Sequence, residues 1–208
     1  MHTSHNNTLI QYFNAGMDYD AYFSLITNLL AEGKTTGAAQ YQTPEILAYA
    51  KLNVARMNRL HKTIVLNEAL KEKLLSINQP QVWLVLTEGW CGDAAQILPV
   101  LHEMATVNSM VSLRLLLRDE HLPLMDAYLQ NGKSRSIPKL IVVDKLSGKE
   151  IFNWGPRPAA LQHIYNEMKV ANATDEAVKT AIHTWYANDK TLLTQQELLN
   201  AFNGIASV

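Results

Sequence analysis

The chain carries a single cysteine, Cys91, in 208 residues. One thiol excludes an intrachain disulfide and any metal site built on several cysteines. It fits a reducing compartment, and a cytoplasmic location is expected. An excess of one charge is also lacking: 18 Lys and Arg stand against 19 Asp and Glu, for a net charge of −1. Nucleic-acid binding draws on a basic excess or stripe, so no nucleic-acid partner is expected. No apolar run approaches the ~18 residues of a membrane helix. The opening Met1-His2-Thr3-Ser4-His5-Asn6-Asn7 lacks the basic-then-apolar pattern of a secretory signal. The seven histidines (His2, His5, His61, His102, His121, His163, His183) show no metal-ligand spacing, so neither metal nor cofactor is expected.

What is present is core. Apolar residues make up 48% of the chain, enough for one domain with sizeable additions. The first part reads as helices. Tyr22, Leu25, Ile26 and Leu29 recur at helical spacing over 18–31, with Gly33 as a stop. Thr43-Pro44-Glu45 has the form of an N-cap followed by proline, opening a helix to about Leu60. A third helix spans about 67–76 with Asn67 as cap, and Asn78-Gln79-Pro80 ends it.

From residue 81 the pattern changes. Gln81 to Thr87 is short, apolar and rich in β-formers, a buried strand. The spacing then predicts a helix over 94–105 containing Pro99, a strand over 110–117, a helix over 120–130, strands over 139–143 and 151–154, and a helix over 157–168. Two strands joined by a helix should be parallel with a right-handed crossover. The last two, joined by Leu146-Ser147-Gly148-Lys149, should be antiparallel. The expectation is an α/β fold: a mixed four-stranded sheet with helices on both faces. Thr174 then caps a helix through Trp185, and a short one runs from Thr194 to Phe202. The parts are an N-terminal helical extension (1–80), a core (81–170) and a C-terminal helical extension (171–208). The extensions either cover the sheet and its edges or offer an apolar face to a partner or a second copy.

Thr87-Glu88-Gly89-Trp90-Cys91-Gly92-Asp93-Ala94 joins the end of a buried strand to the start of a helix, where open α/β sheets build their sites. A cysteine at a helix N-terminus faces free N–H groups and the positive end of the dipole, and both favour thiolate. Asp93 opposes this, because a nearby negative charge raises a thiol pKa. A lone cysteine has a plainer reading too, as a small buried hydrophobe. Ser136-Ile137-Pro138 precedes a strand, where proline is tolerated and a cis bond is compatible. Gly155-Pro156-Arg157-Pro158 follows the last strand. Arg157 there either holds an anion or supports a thiolate, or is a surface arginine in a turn. Arg118-Asp119 reads as a local ion pair.

Trp90-Cys91-Gly92-Asp93-Ala94 resembles the Trp-Cys-Gly-Pro-Cys box of thioredoxins, Ile137-Pro138 their cis-proline loop, and Pro99 the proline of their active-site helix. The core resemblance covers about 81–170. Tyr49-Ala50-Lys51-Leu52-Asn53 and Arg56-Met57-Asn58-Arg59-Leu60, with the Asp-Ala form of the box, resemble a bacterial thioredoxin-like branch and extend it back to about residue 18. The resemblance implies a thioredoxin-like fold, Cys91 as attacking thiol, Trp90, Gly92, Asp93 and Ala94 as its loop, and Ile137, Pro138 and Arg157 near the substrate. It also exposes departures. Ala94 stands where the resolving cysteine would be, Asp93 replaces the proline, and Val85 replaces a buried aspartate. A dithiol cycle within one chain is therefore excluded.

The favoured function is monothiol chemistry in redox homeostasis: Cys91 forms mixed disulfides that an outside protein or low-molecular-weight thiol resolves. The alternatives are a non-catalytic binding module using the cis-proline face and a single-cysteine redox sensor.

Overall fold

The computed structural model describes residues 8–204. Four helices come first: α1 (Thr8–Ala15), α2 (Tyr19–Ala31), α3 (Pro44–Thr63) and α4 (Glu68–Leu75). Then follow β1 (Gln81–Thr87), α5 (Gly92–Thr106), β2 (Val111–Leu117), α6 (Leu122–Ala127), β3 (Lys139–Asp144), β4 (Glu150–Trp154) and α7 (Ala159–Val170). Helices α8 (Asp175–Asp189) and α9 (Leu192–Phe202) complete the described chain.

The strands form one mixed sheet in the order β2-β1-β3-β4. β1 runs parallel to β2 and antiparallel to β3, which pairs antiparallel with β4. Residues Val82–Thr87 of β1 and Lys139–Val143 of β3 are all buried. Unbroken burial means that both faces of these central strands are covered, as the apolar runs predict. The outer edge of β2 is closed by one residue: Met17 and Leu115 exchange both backbone hydrogen bonds, at 2.9 and 2.8 Å. That pairing blunts an edge otherwise open to another chain.

Local chemistry sets the boundaries. Asp18, Thr43, Asn67 and Thr174 each accept a hydrogen bond from the backbone N–H three residues on, capping α2, α3, α4 and α8. Asp144 takes Ser147 N and Oγ at 2.6 and 2.7 Å, closing the β3–β4 turn. Helix α5 continues through Pro99.

Several boundaries differ from expectation. α5 starts at Gly92, not Ala94, because Cys91 is its N-cap. The helix expected over 120–130 shrinks to α6: a 3-10 turn at Arg118–Glu120 precedes it, and Tyr128 leaves helical geometry. α8 extends to Asp189 and α9 starts at Leu192, the two separated by left-handed Lys190 and Thr191. α1 was not anticipated.

Polar contacts fasten the C-terminal helices to the N-terminal segment and to the end of β4. Gln195, fully buried, accepts from Asn67 N at 2.8 Å and donates to the Val65 carbonyl at 3.0 Å. Glu197 takes Trp154 Nε1 at 3.1 Å and Ala159 N at 2.6 Å. Among the described residues no helix is long and apolar enough to cross a membrane.

Candidate functional site

The turn between β1 and α5 is held from both extensions. Thr36 Oγ1 accepts from Gly89 N at 2.8 Å, and Asn53 Nδ2 donates to the Gly89 carbonyl at 3.2 Å. Asn53 is itself fully buried and fixed by Arg56 Nη1 at 2.7 Å. On the other side, Tyr186 donates to Asp93 Oδ1 at 2.8 Å. A Cβ on Gly92 would come within 2.8 Å of Tyr49 Oη and 2.9 Å of the His183 ring, which hydrogen-bond each other. Glycine is what lets α3 and α8 approach this closely.

Cys91 is buried, with 8% of its surface exposed. Its Sγ donates to the Ile137 carbonyl at 3.3 Å and accepts from Ala94 N at 3.5 Å. Burial pushes the thiol up to about 12, and Asp93 pushes the same way; the Ala94 N–H and Arg157 pull against them without prevailing. The competition that the sequence left open between the helix N-terminus and Asp93 is therefore decided by desolvation, a cost that depends on burial.

Arg157 is no surface arginine. Its Nη2 lies 2.7 Å and its Nε 3.2 Å from Asp93 Oδ2, with both side chains largely buried. The guanidinium also lies 4.4 Å from the Tyr165 ring centroid. Trp90 stacks on Tyr41 at 4.3 Å, and Arg118 covers both rings. Arg118 pairs with Asp119 at 2.8 Å, the local ion pair read from sequence, and also donates to Tyr41 Oη at 2.9 Å.

These groups border a cavity of about 700 Å³, within the usual size of a ligand pocket. Of the sequence-predicted residues, Trp90, Cys91, Gly92, Asp93, Ile137 and Arg157 line it. Ala94 and Pro138 are buried outside the lining, and the Ile137–Pro138 bond is cis. Sequence reasoning missed Tyr41 and Tyr165, and gave Tyr49 no individual role. The signal for Tyr49 lay in the Tyr49–Asn53 segment, which marks the face of α3 turned to the site; nothing local marked Tyr41 or Tyr165. The cavity's cations are mostly compensated. Arg157 faces Asp93, Arg118 faces Asp119, Arg135 faces Asp126 at 2.6 Å and Lys179 faces Glu45 at 3.0 Å. No group of metal-ligating side chains occurs among the described residues.

A mixed sheet in this order, with a cysteine capping the helix after its first strand and a cis-proline turn opposite, defines a thioredoxin-like protein with one thiol. The family model described as Thioredoxin matches residues 40–169, and the chain belongs to that family. Two solved structures share the fold. An HIV epitope-scaffold is 18% identical with a TM-score of 0.62, over 94% of this chain and 98% of that one. A protein of unknown function from Pseudomonas aeruginosa is 20% identical with a TM-score of 0.54, over 84% of this chain and 92% of that one. Comparison with curated proteins gives no match.

Proposed function

We propose that this protein is a binding module of the thioredoxin family, holding an extended peptide or small polar molecule in the cavity above Cys91 and Ile137. The observation that carries this reading is the state of Cys91: buried, bonded to the Ile137 carbonyl and pushed up to about 12. A nucleophilic cysteine needs the opposite, an accessible thiol pulled toward neutrality. The aromatic and arginine walls supply what recognition needs instead: flat apolar surface with polar handles.

A second reading, thiol–disulfide exchange by Cys91 alone, is favoured by its place in the cavity lining and by Arg157 nearby. In that scheme Cys91 Sγ attacks a substrate disulfide and releases one thiolate. An external thiol then attacks the mixed disulfide and restores Cys91.

One experiment separates the two. Native protein is alkylated with iodoacetamide across pH and followed by mass spectrometry, with Cys91→Ser as blank, and then incubated with oxidised glutathione. The binding reading expects a midpoint well above the ordinary ~8.5 and no adduct at neutral pH. It also expects peptides selected from a displayed library on the wild type to bind Cys91→Ser equally well. A midpoint below that value with a rapidly formed adduct would replace it with the exchange reading.

A further inference from the structure

Residues 35–42, between α2 and α3, form a strap tied largely to itself. The Gln42 side chain accepts from Thr35 N at 3.0 Å and donates to the Thr35 and Gly37 carbonyls at 2.9 and 3.3 Å. The strap's hydrogen bonds to the rest of the described chain, and its ring stack, converge on two short segments. Thr36 Oγ1 accepts from Gly89 N, and Tyr41 stacks on Trp90. Ala38 N donates to Asp119 Oδ2 at 3.4 Å, and Tyr41 Oη accepts from Arg118 at 2.9 Å. Glu88 joins the two segments: it precedes Gly89, and its Oε1 accepts from Asp119 N at 3.0 Å. The strap has little apolar anchorage, with Ala38, Ala39, Gln40 and Gln42 exposed. Segments of that kind open at low cost while the core stays folded.

Two buried polar atoms at this junction have no partner. One is Oε2 of Glu88, whose side chain is fully buried. The other is Nε1 of Trp90, so close to the strap that a Cβ on Gly37 would come within 3.1 Å of it. Each is costly to leave unpaired, and lifting the strap would give both to water. For Glu88 the cost depends on charge, because an ionised carboxylate with an oxygen that receives no donor is far worse in the interior than the neutral acid. Burial raises the carboxyl above its ordinary value; Thr36, the Asp119 N–H and Arg118 pull it down, and the Asp119 charge pushes it up. Tyr22, from α2, feels both Glu88 and Cys91, and burial raises its hydroxyl so that it stays protonated.

We propose that residues 35–42 are a pH-gated lid on the cavity above Cys91, seated while Glu88 is protonated and released when it ionises. Tyr41, Trp90 and Arg118 all line that cavity. Lifting the strap takes Tyr41 out of the wall and uncovers Trp90 and Arg118. A carboxyl raised in the seated state favours seating below its open-state value, and that preference is lost as pH rises through the seated value. Control of binding rests on the function proposed for the cavity; the lid's movement does not, and it is measured with no ligand present.

The test is amide hydrogen exchange of the whole chain, resolved by NMR between about pH 5 and 8 and corrected for the intrinsic pH dependence of exchange. The probes are Gly89 N, whose acceptor the strap supplies, and Thr35 N within it; the amides of β3 report global opening. In the wild type, protection at both probes should fall about tenfold for each unit by which seating raises Glu88, while β3 protection changes less. Glu88→Gln keeps the acceptor for Asp119 N without the charge and should hold the low-pH protection throughout. Should that variant fail to fold, Asp119→Asn removes the charge that raises Glu88, keeps an acceptor for Ala38 N, and should move the transition to lower pH. A carbon-13 titration of the wild-type Glu88 carboxyl needs no variant, and its midpoint should coincide with the loss of protection. Constant protection at both probes, a fall that persists in Glu88→Gln, or a Glu88 midpoint at or below the ordinary ~4.3 would overturn the proposal.

Discussion

Arg157 and Asp93 lie 64 residues apart and form a largely buried ion pair, 2.7 Å between Nη2 and Oδ2. Tyr186 supplies the other carboxylate oxygen with its own hydrogen bond. The residue that the Trp-Cys-Gly-Asp-Ala box places where thioredoxins have proline thus joins α5, the loop after β4 and α8.

Truncating this carboxylate should be costly. Asp93→Ala leaves the Arg157 charge and the Tyr186 hydroxyl buried without their acceptor, a loss of about 3 kcal/mol or more. Thermal unfolding of the variant should fall by about 6–12 °C. Asp93→Asn keeps the shape and one acceptor while removing the negative charge beside the thiol. Charge removal favours thiolate, so the alkylation midpoint of Cys91 should move down from its wild-type position. An unmoved midpoint would assign the whole elevation to burial.

Glu88 is fully buried, with Oε1 on Asp119 N at 3.0 Å and Oε2 unpartnered. Burial raises its carboxyl above the ordinary value. An acid raised in the fold contributes most below its unfolded pKa and loses that contribution as pH rises through the folded one. Glu88→Gln keeps the acceptor for Asp119 and removes the ionisation cost. Its melting temperature should exceed the wild type's at neutral pH, and the gap should close toward pH 4.

His183 has the opposite dependence. Burial, aided by Arg56, lowers it to about 4. The unfolded chain takes up a proton near the ordinary value of about 6.5 while the folded chain does not, so stability falls as pH drops from there to about 4. Because the ring is partly exposed, the loss is discounted to the order of 1–2 kcal/mol. His61 and His121 are lowered as well, so the check is a difference. Urea unfolding of His183→Gln against wild type should show a shallower decline over this range.

Gly155 has φ +114°, and a Cβ there would run into the Pro138 carbonyl. Gly155→Ala should destabilise by about 3 kcal/mol or more and disturb the Ile137–Pro138 turn. Denaturant titration reads the first effect, and increased Cys91 alkylation reads the second. A variant of wild-type stability would contradict the geometry.

The sequence by itself determined the strands, their order of connection and the caps at Thr43, Asn67 and Thr174, because short apolar β-forming runs, period-3.6 patterns and capping hydrogen bonds are local. It also located the turn at Cys91 and, by resemblance, the facing Ile137-Pro138. Tertiary structure alone decided the character of that turn. Desolvation of Cys91 depends on how much of the protein surrounds it, and its surroundings come from both extensions: Asn53 and Tyr49 from α3, Tyr186 and His183 from α8. The partner of Arg157, the stacking of Tyr41 on Trp90 and the orphaned Nδ1 of His183 likewise arise between distant segments. Charge pairing and burial act through space, and no spacing along the chain encodes them.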